Sequence, residues 1–534
     1  MQNRATVDHS PLRRRAVLAL LLGACLFASA CGAVPSNRPD VAIDYGPPPA
    51  GTRDEAPDGA PPELEAPQTA MRWQDCTATV LAHYNLDVDL PGVTLECVSF
   101  AVPSDPDGRV AEWLNIGLTR ARLAETPENV APLVLTTGAS QPASRALATM
   151  VDTSGAILAE RPIVAVDRRG TGFSDRVSCF TRALEEQQID LGAGTPGRDP
   201  VDAAATVGRD STLACTDHIE PLETLFTATN AAHDLNALRD FWGVDTLAVA
   251  GVGNGAVVAL AYAALFPGGV SRLIIDSAPA VAESGPSMPG ADSLAVAAQQ
   301  AEGAEAALGT FASYCQSIDC PLGPDALGEI RSLLEQAANG QAGPLTPGAV
   351  VTAILGSLGE TSQPPNDRME RLAQALAAAR GGTADGLIQL SYDMHSIMGD
   401  DGQFIGQCSD ATTRAVPENI RELLGGWSSD YPHVGEVLAL RQLLCAAWPA
   451  IDPVELPDEL SAPALLAEGE NDPWSGTGTS ADLRGSLLAS GAATFRLGWQ
   501  GMGHGVLLHS QCGAQLIAAM ITNGRVPEDN TCPA

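Results

Sequence analysis

Short apolar runs alternate with helical segments over residues 71–280 and again after residue 457. The runs are continuous and apolar, as strands covered on both faces are: PLVLTT at 132–137, RPIVAV at 161–166, TLAVA at 246–250 and SRLIID at 271–276. The amphipathic pattern NAAHDLNALRDFWGV predicts a helix before the third run. Strands that alternate with helices predict an α/β fold with a doubly wound, mostly parallel sheet. CVSFAV and EWLNIGLTRARLA predict two further strands at a sheet edge.

The pattern changes between residues 281 and 456, which are rich in alanine, leucine and glutamine and predict helices throughout. Because this segment interrupts the α/β pattern, we expect an inserted helical lid over the strand ends. APALLAEGENDPW then resumes the sheet in residues 457–534. Residues 176–230 are polar with a glycine/proline patch, and predict an excursion on the surface.

The first 30 residues have the pattern of an export signal. Arg13, Arg14 and Arg15 precede AVLALLLGACLFASA, an apolar run ending in small residues, which indicates a secretory signal peptide. A twin-arginine signal remains an alternative reading. Cys25 and Cys31 each follow a lipobox-like sequence, and cleavage before Cys31 leaves an even number of other cysteines. We therefore expect Cys31 to be lipidated and residues 31–70, rich in proline and acids, to be a disordered tether; plain secretion is the alternative.

The amino-acid composition limits the classes of molecule that this protein is expected to bind. The formal net charge is −34, and all 30 basic residues are arginine, so nucleic acid and anionic lipid headgroups are disfavoured. Membrane contact is expected only through the lipid anchor. Since no Cys/His cluster has zinc-ligand spacing, no metal or cofactor is predicted. A monomer is expected.

Ten cysteines remain after Cys31, and outside the cytoplasm an even set predicts disulfides. The simplest arrangement joins neighbours in sequence, although other connectivities stay open. The pairs are Cys76 with Cys97, Cys179 with Cys215, Cys315 with Cys320, Cys408 with Cys445, and Cys512 with Cys532.

A glycine-rich turn, GVGNG at 251–255, connects the strand TLAVA to a small-residue helix that stops at Pro267. Strand, sharp turn and helix are the setting of a nucleophile elbow, G-x-S-x-G, in which serine stands at the top of the sheet. Here the central residue is Gly253 instead of serine. The frame of a serine hydrolase is predicted without its nucleophile.

Several sequence motifs, taken together and in their order along the chain, indicate a resemblance to one protein family. RWQDC, LECVSFAVPSD, DRRGTGFS, FTATNAAHDLNALRDFWGV, SYCQSIDCPL, GENDP and GMGHG occur between about Trp73 and Cys532. With these cysteines, the chain resembles the secreted tripeptidyl-aminopeptidase-like α/β-hydrolases, bacterial serine peptidases related to proline iminopeptidases. The resemblance implies an α/β-hydrolase fold with an inserted helical lid.

The resemblance also implies roles for individual residues. In the family order of serine, acid and base, Asp472 takes the position of the acid, His504 that of the base and Gly253 that of the nucleophile. The oxyanion donors would come from Asn254 and from Gly138 and Ala139, where the family's loop is richer in glycine. Ser140, Ser174 and Ser475 are not expected to replace the nucleophile, because none follows a strand into a helix N-terminus.

These residues predict an exported, catalytically impaired family member that binds a peptide or other small ligand under its lid. The alternative is an active hydrolase or aminopeptidase in which His504, oriented by Asp472, activates a water. A deliberate replacement of the serine would leave Asn254 and the altered loop unexplained. In aminopeptidase relatives acidic lid residues hold the substrate amine, and the resemblance does not single out any here.

Overall fold

A computed structural model describes residues 61–193, 197–281, 288–452, 455–527 and 530–534. The predicted signal peptide, Cys25, the lipidation residue Cys31 and most of the predicted tether lie outside these ranges. The described end of the tether segment is bound to the core: the Glu63 carbonyl accepts from Thr246 Oγ1 at 3.0 Å, and the Gln68 amide donates to the Trp242 carbonyl at 2.8 Å. No helix in these ranges is long and apolar enough to cross a membrane.

One ten-stranded sheet forms the centre of the hydrolase core. Its strands are β1 (Gln74–Asp75), β2 (Val93–Pro103), β3 (Trp113–Leu123), β4 (Leu133–Thr136), β5 (Ile163–Val166), β6 (Leu247–Val252), β7 (Val270–Asp276), β8 (Ala464–Asn471), β9 (Thr494–Met502) and β10 (Asn530–Cys532). Their order is β1-β2-β3-β5-β4-β6-β7-β8-β9-β10. Three neighbouring pairs are antiparallel, namely β1 with β2, β2 with β3 and β3 with β5. All other neighbouring strands of the sheet are parallel. The predicted mostly parallel sheet is confirmed, and the strands predicted from CVSFAV and EWLNIGLTRARLA, β2 and β3, lie toward one edge, where they pair antiparallel.

Helices cover both faces of the sheet. The first part of the chain contains α1 (Thr77–His83), α2 (Ala143–Thr149), α3 (Gly155–Leu158), α6 (Ala228–Trp242) and α7 (Asn254–Leu265) around the sheet, and α4 (Arg182–Asp190) and α5 (Pro200–Ile219) away from it. Alternate side chains of β6 point to opposite faces, so Leu247 and Val249 pack with α6 and α7, whereas Ala248 and Ala250 join the cluster on the other face. Each face therefore has its own apolar interior.

The inserted region is helical, as the sequence predicts. Its helices are α8 (Ser293–Ser317), α9 (Ala326–Ala338), α10 (Pro347–Gly359), α11 (Pro365–Arg380), α12 (Asp385–Met398), α13 (Asp401–Asp410), α14 (Pro417–Asp430) and α15 (Gly435–Arg441). After β8 the chain adds α16 (Thr479–Ala489), α17 (Val506–His509) and α18 (Gln511–Asn523).

The segment 176–230 differs from the surface excursion that its polar composition predicts. It forms α4 and α5, and Leu191, Val201 and Ala204 belong to the same buried cluster as the lid helices. The polar residues lie on the outer faces of two amphipathic helices, a distribution that average composition does not reveal. The lid is therefore built from two separate parts of the chain.

The five neighbouring cysteine pairs predicted above are all formed. Cys408–Cys445 joins two parts of the lid, and Cys512–Cys532 ties α18 to the edge strand β10. A set of five disulfides is typical of proteins that fold outside the reducing cytoplasm.

Candidate active site

The turn between β6 and α7 has the backbone of a nucleophile elbow. Gly253 has φ 59° and ψ −126°, and its amide donates to the Asp276 carbonyl at 2.9 Å. The neighbouring glycines are required by close packing: a Cβ on Gly251 would lie 2.3 Å from the Gly255 carbonyl oxygen, and one on Gly255 would lie 2.0 Å from that of Thr136. The sequence thus keeps the glycines that shape the elbow and has a third at its tip.

Parallel strands bring the other predicted site residues to the same edge. Asp472 follows β8 and His504 follows β9, and both are buried. His504 Nδ1 lies 3.0 Å from one Asp472 carboxylate oxygen and 3.2 Å from the other. Burial acts to raise the pKa of Asp472, but His504 and the amides of Trp474 and Ser475 outweigh it, so this pKa is lowered. Asp472 is therefore a charged acceptor that holds the Nδ1–H tautomer and leaves Nε2 as the basic nitrogen.

His504 Nε2 points at the space above Gly253. It is buried and has no hydrogen-bond partner among the described residues. A Cβ on Gly253 would lie 2.5 Å from His504 Nε2 and 2.5 Å from Ser140 Oγ, closer than real Cβ contacts. Two neighbouring groups therefore stand in the space of the missing serine side chain. Ser140, which was not expected to replace the nucleophile, thus lies beside the same space as the base. Ser174 Oγ instead donates to the Asp167 carbonyl at 2.8 Å.

The amides expected to bind an oxyanion have partners inside the protein. Ser140 Oγ accepts from the Asn254 amide at 2.8 Å, and Asn254 Oδ1 accepts from the Ala139 amide at 2.6 Å. The Gly138 amide makes a longer bond, 3.3 Å, to Thr136 Oγ1. The structure thus brings Asn254, Gly138 and Ala139 together, as the sequence predicts, but each of the three donors is already engaged.

A buried ionic network holds the Asn254 side chain. Its Nδ2 donates to Asp410 at 2.9 Å, and its Oδ1 accepts from Arg168 at 2.8 Å. Arg168 forms two bonds with the Asp410 carboxylate, 2.6 and 2.9 Å long, across the boundary between core and lid. Arg168 belongs to the DRRGTGFS motif and could have been expected near the site, but nothing in the sequence marks Asp410.

Asp276 is a second buried carboxylate that sequence reasoning missed. It accepts from the Val506 and Leu507 amides at 2.9 and 2.8 Å and so holds the helix that follows His504. Burial raises its pKa to about 6, against the opposing effect of these amides. Its position at the end of the apolar run SRLIID was an available signal, since polar residues at parallel strand ends cluster at the site edge.

A cavity of about 290 Å³ lies between the elbow and the lid. It is lined on the core side by Ser140 and Asn254 and on the lid side by Asp410, Thr352 and Arg441. Gly253 and His504 do not contribute to its wall. Ser140 thus lies beside the space above Gly253 and also faces the cavity.

Strand order, elbow and the Asp472–His504 pair define an α/β-hydrolase. Residues 431–532 match the family described as TAP-like protein. The chain is 29% identical over 279 residues to the serine protease Hip1 of Mycobacterium tuberculosis, a match covering 50% of this chain and 48% of that protein. It is 25% identical over 224 residues to the tripeptidyl aminopeptidase of Streptomyces coelicolor, covering 40% and 38%. Over these matched regions the chain is similar to the tripeptidyl-aminopeptidase-like α/β-hydrolases.

The chain spans about half of the length of Hip1 and less than half of that of the tripeptidyl aminopeptidase. Among solved structures, an esterase from Thermogutta terrifontis has a TM-score of 0.36 at 13% identity and covers 80% of this chain and 98% of its own. A probable hydrolytic enzyme from Pseudomonas aeruginosa has a TM-score of 0.32 at 14% identity, covering 81% and 94%. Such scores support no argument, and the fold assignment rests on the strand order.

Proposed function

We propose that this protein is a non-catalytic hydrolase relative that binds a peptide or other small molecule in the cavity under its lid. The mechanism of serine hydrolases needs a nucleophile, a base and an oxyanion hole. Gly253 supplies no nucleophile, and loss of this group lowers turnover roughly a million-fold in a characterised triad.

The observation that carries the proposal is the internal pairing of the Asn254 and Ala139 amides. An oxyanion hole must offer free N–H groups to a developing negative charge, and here both donate to side-chain oxygens of Ser140 and Asn254. Loss of one such donor costs about 100- to 1000-fold in turnover. Nucleophile and oxyanion hole are thus both absent from a site that otherwise keeps its shape.

The cavity supports a binding role. Its wall combines apolar side chains such as Val296, Met394 and Phe404 with polar ones such as Gln300 and Gln407, so it can hold both apolar and polar groups of a small molecule. Hydrogen bonds with Arg168 and with each other fix the positions of the Asn254 and Asp410 side chains in the cavity wall.

The test compares residues 61–534 of the natural chain with His504→Ala and Asp472→Asn on p-nitrophenyl esters and tripeptidyl p-nitroanilides. We expect no turnover above the His504→Ala background, together with saturable binding of peptides detected by calorimetry. Turnover by the natural chain that His504→Ala removes contradicts the proposal.

A second candidate is hydrolysis without the usual serine, and the unpartnered His504 Nε2 favours it. This nitrogen could accept a proton from a water or from the Ser140 hydroxyl, which lies beside the same space. Ser140→Ala separates the two routes. It preserves or raises activity if a water attacks, because it also frees the Asn254 amide, and it abolishes activity if Ser140 attacks. Ser475→Ala, which changes another cavity-lining serine, serves as the control.

We further infer that the chain is exported and anchored through a lipid on Cys31, and that it acts as a monomer without nucleic-acid partners. The arginines and apolar run before Cys31, the five disulfides and the acidic composition support this. Expression of the full chain with radiolabelled palmitate tests the anchor. We expect label in the natural chain and in Cys25→Ala but none in Cys31→Ala; label retained by Cys31→Ala contradicts this assignment.

A further inference from the structure

A lone guanidinium lines the cavity from the lid side. Arg441 is the last residue of α15, and the only side-chain bond of its guanidinium in the described residues is to Thr352 Oγ1. No carboxylate of the described chain forms an ion pair with it, and burial lowers its pKa to about 10, which leaves it charged at neutral pH. A buried cation without a counter-ion is costly, so such groups are rare unless a partner arrives from outside.

The other charged group in the cavity wall cannot supply that partner. Asp410 already accepts two bonds from Arg168, one from Asn254 Nδ2 and one from the Ala228 amide. His395 also lines the cavity, but burial and the neighbouring Arg441 lower its pKa to about 4, so it is neutral at pH 7. The uncompensated charge facing the cavity is therefore positive.

The uncharged residues of the cavity wall determine which kind of ligand can fit beside the charged group. Apolar side chains predominate around the cavity: Ile189, Val296, Leu355, Met394, Met398, Phe404, Leu444 and Trp474. His395 Nε2 is buried and has no hydrogen-bond partner among the described residues, so a further hydrogen-bonding group is available on the lid side. A wall with this apolar area, polar side chains such as Gln300 and Gln407, and one cation that has no carboxylate partner among the described residues matches a ligand with an apolar body and one anionic group.

We propose that the cavity binds a small amphiphilic carboxylate and that Arg441 is its counter-ion. This deepens the proposed binding function and rests on it. Both a medium-chain fatty acid and the C-terminal carboxylate of a short apolar peptide have this chemistry, and the guanidinium can bind either through two parallel N–H···O bonds. In aminopeptidase relatives the resemblance implies recognition of a positive amine, so the sign of the recognised charge is reversed.

The experiment titrates residues 61–534 with two matched pairs, octanoate with octanamide and acetyl-Leu-Leu with its amide. Members of a pair share one body and differ in charge. We expect at least one acid to bind about 10- to 100-fold more tightly than its amide, the worth of a charge-assisted hydrogen bond. The two pairs distinguish a fatty acid from a peptide as the source of the carboxylate.

Arg441→Met removes the charge and keeps much of the side-chain volume. It should abolish the preference for the acid, whereas Arg380→Met, which removes an exposed arginine paired with Glu329, should retain it. Since Arg441 has no counter-ion, Arg441→Met should melt at the same temperature as the natural chain or higher. This second readout shows that a lost preference does not come from unfolding.

The outcomes separate the two proposals. Equal binding of acid and amide, or an acid preference that survives Arg441→Met, overturns the role of Arg441 and leaves binding under the lid in place. A fall in melting temperature with Arg441→Met also overturns it, because Arg441 would then be a structural cation. No binding of any of the four probes up to solubility contradicts both proposals.

Discussion

Gly253 is surrounded by two side chains that stand closer than a serine at this position would permit. His504 Nε2 and Ser140 Oγ are each 2.5 Å from the place of a Cβ, and Ser140 Oγ also takes the Asn254 amide. One hydroxyl therefore blocks both the nucleophile space and one donor of the oxyanion hole. Restoring the serine alone does not restore the site.

We predict that Gly253→Ser alone remains almost inactive and that Gly253→Ser with Ser140→Ala hydrolyses p-nitrophenyl acetate. The second change removes one of the two close contacts and frees the Asn254 amide, which is worth about 100-fold in turnover. The double variant should therefore exceed Gly253→Ser by that factor at least. Gly253→Ser with Ser475→Ala is the matched control, and equal rates for all three variants would show that Ser140 does not obstruct the site.

The sequence predicted which residues meet at the site but not how they are paired. Motif order was sufficient for Asp472, His504 and Asn254, because parallel strands carry their ends to one edge of the sheet. The position of Ser140 depends on the fold of one short loop, and the free charge of Arg441 depends on the absence of acids around it. Neither follows from spacing along the chain.

At the scale of the element, the elbow depends on two close approaches of backbone to backbone. We predict that Gly255→Ala destabilises the protein by about 3 kcal/mol or more, the upper range for overpacking, since its Cβ would lie 2.0 Å from the Thr136 carbonyl oxygen. Gly268→Ala is the control, because nothing lies within 4 Å of a Cβ there. Urea unfolding measures both, and equal midpoints would contradict the role given to Gly255.

The contact between lid and core centres on Arg168 and Asp410. Both side chains are almost fully buried, so Asp410→Asn leaves a guanidinium without its charge partner and should cost about 3 to 5 kcal/mol in unfolding free energy. Asp202→Asn breaks an exposed bond to Arg421 and should cost less than about 1 kcal/mol. Similar losses in urea unfolding for the two variants would mean that the buried pair does not hold the lid.

Strands and helices were predicted best in segments of the chain where one class of residue dominates. The apolar runs of β4 to β8 and the alanine- and leucine-rich helices of the lid needed no tertiary information. The helices α4 and α5 were missed because they contain more polar residues on their outer faces than apolar residues that pack on the lid. Their position depends on packing against a segment that is distant in the sequence.

Across the whole molecule, burial shifts the pKa of several ionisable side chains toward their uncharged form. Burial lowers the pKa of His395 to about 4 and that of His509 to about 3, and it raises the pKa of Asp276 and Asp400 to about 6. In the unfolded chain the histidines bind protons near pH 6.5, so their burial costs stability as the pH falls below that value. The two acids act oppositely: their contribution is present at low pH and is lost as the pH rises through about 6.

We predict that His509→Gln makes stability less sensitive to acid. Gln can still donate to the Gly359 carbonyl, which His509 Nε2 contacts at 3.2 Å, but it does not titrate. One pKa unit is worth about 1.4 kcal/mol, so between pH 7 and about 4.5 the variant should lose about 2 to 3 kcal/mol less than the natural chain. His218→Gln replaces an exposed histidine and controls for the loss of an imidazole. Because the buried acids contribute equally in all three proteins, an unchanged pH dependence of urea unfolding in His509→Gln would mean that this imidazole is accessible to protons in the folded state.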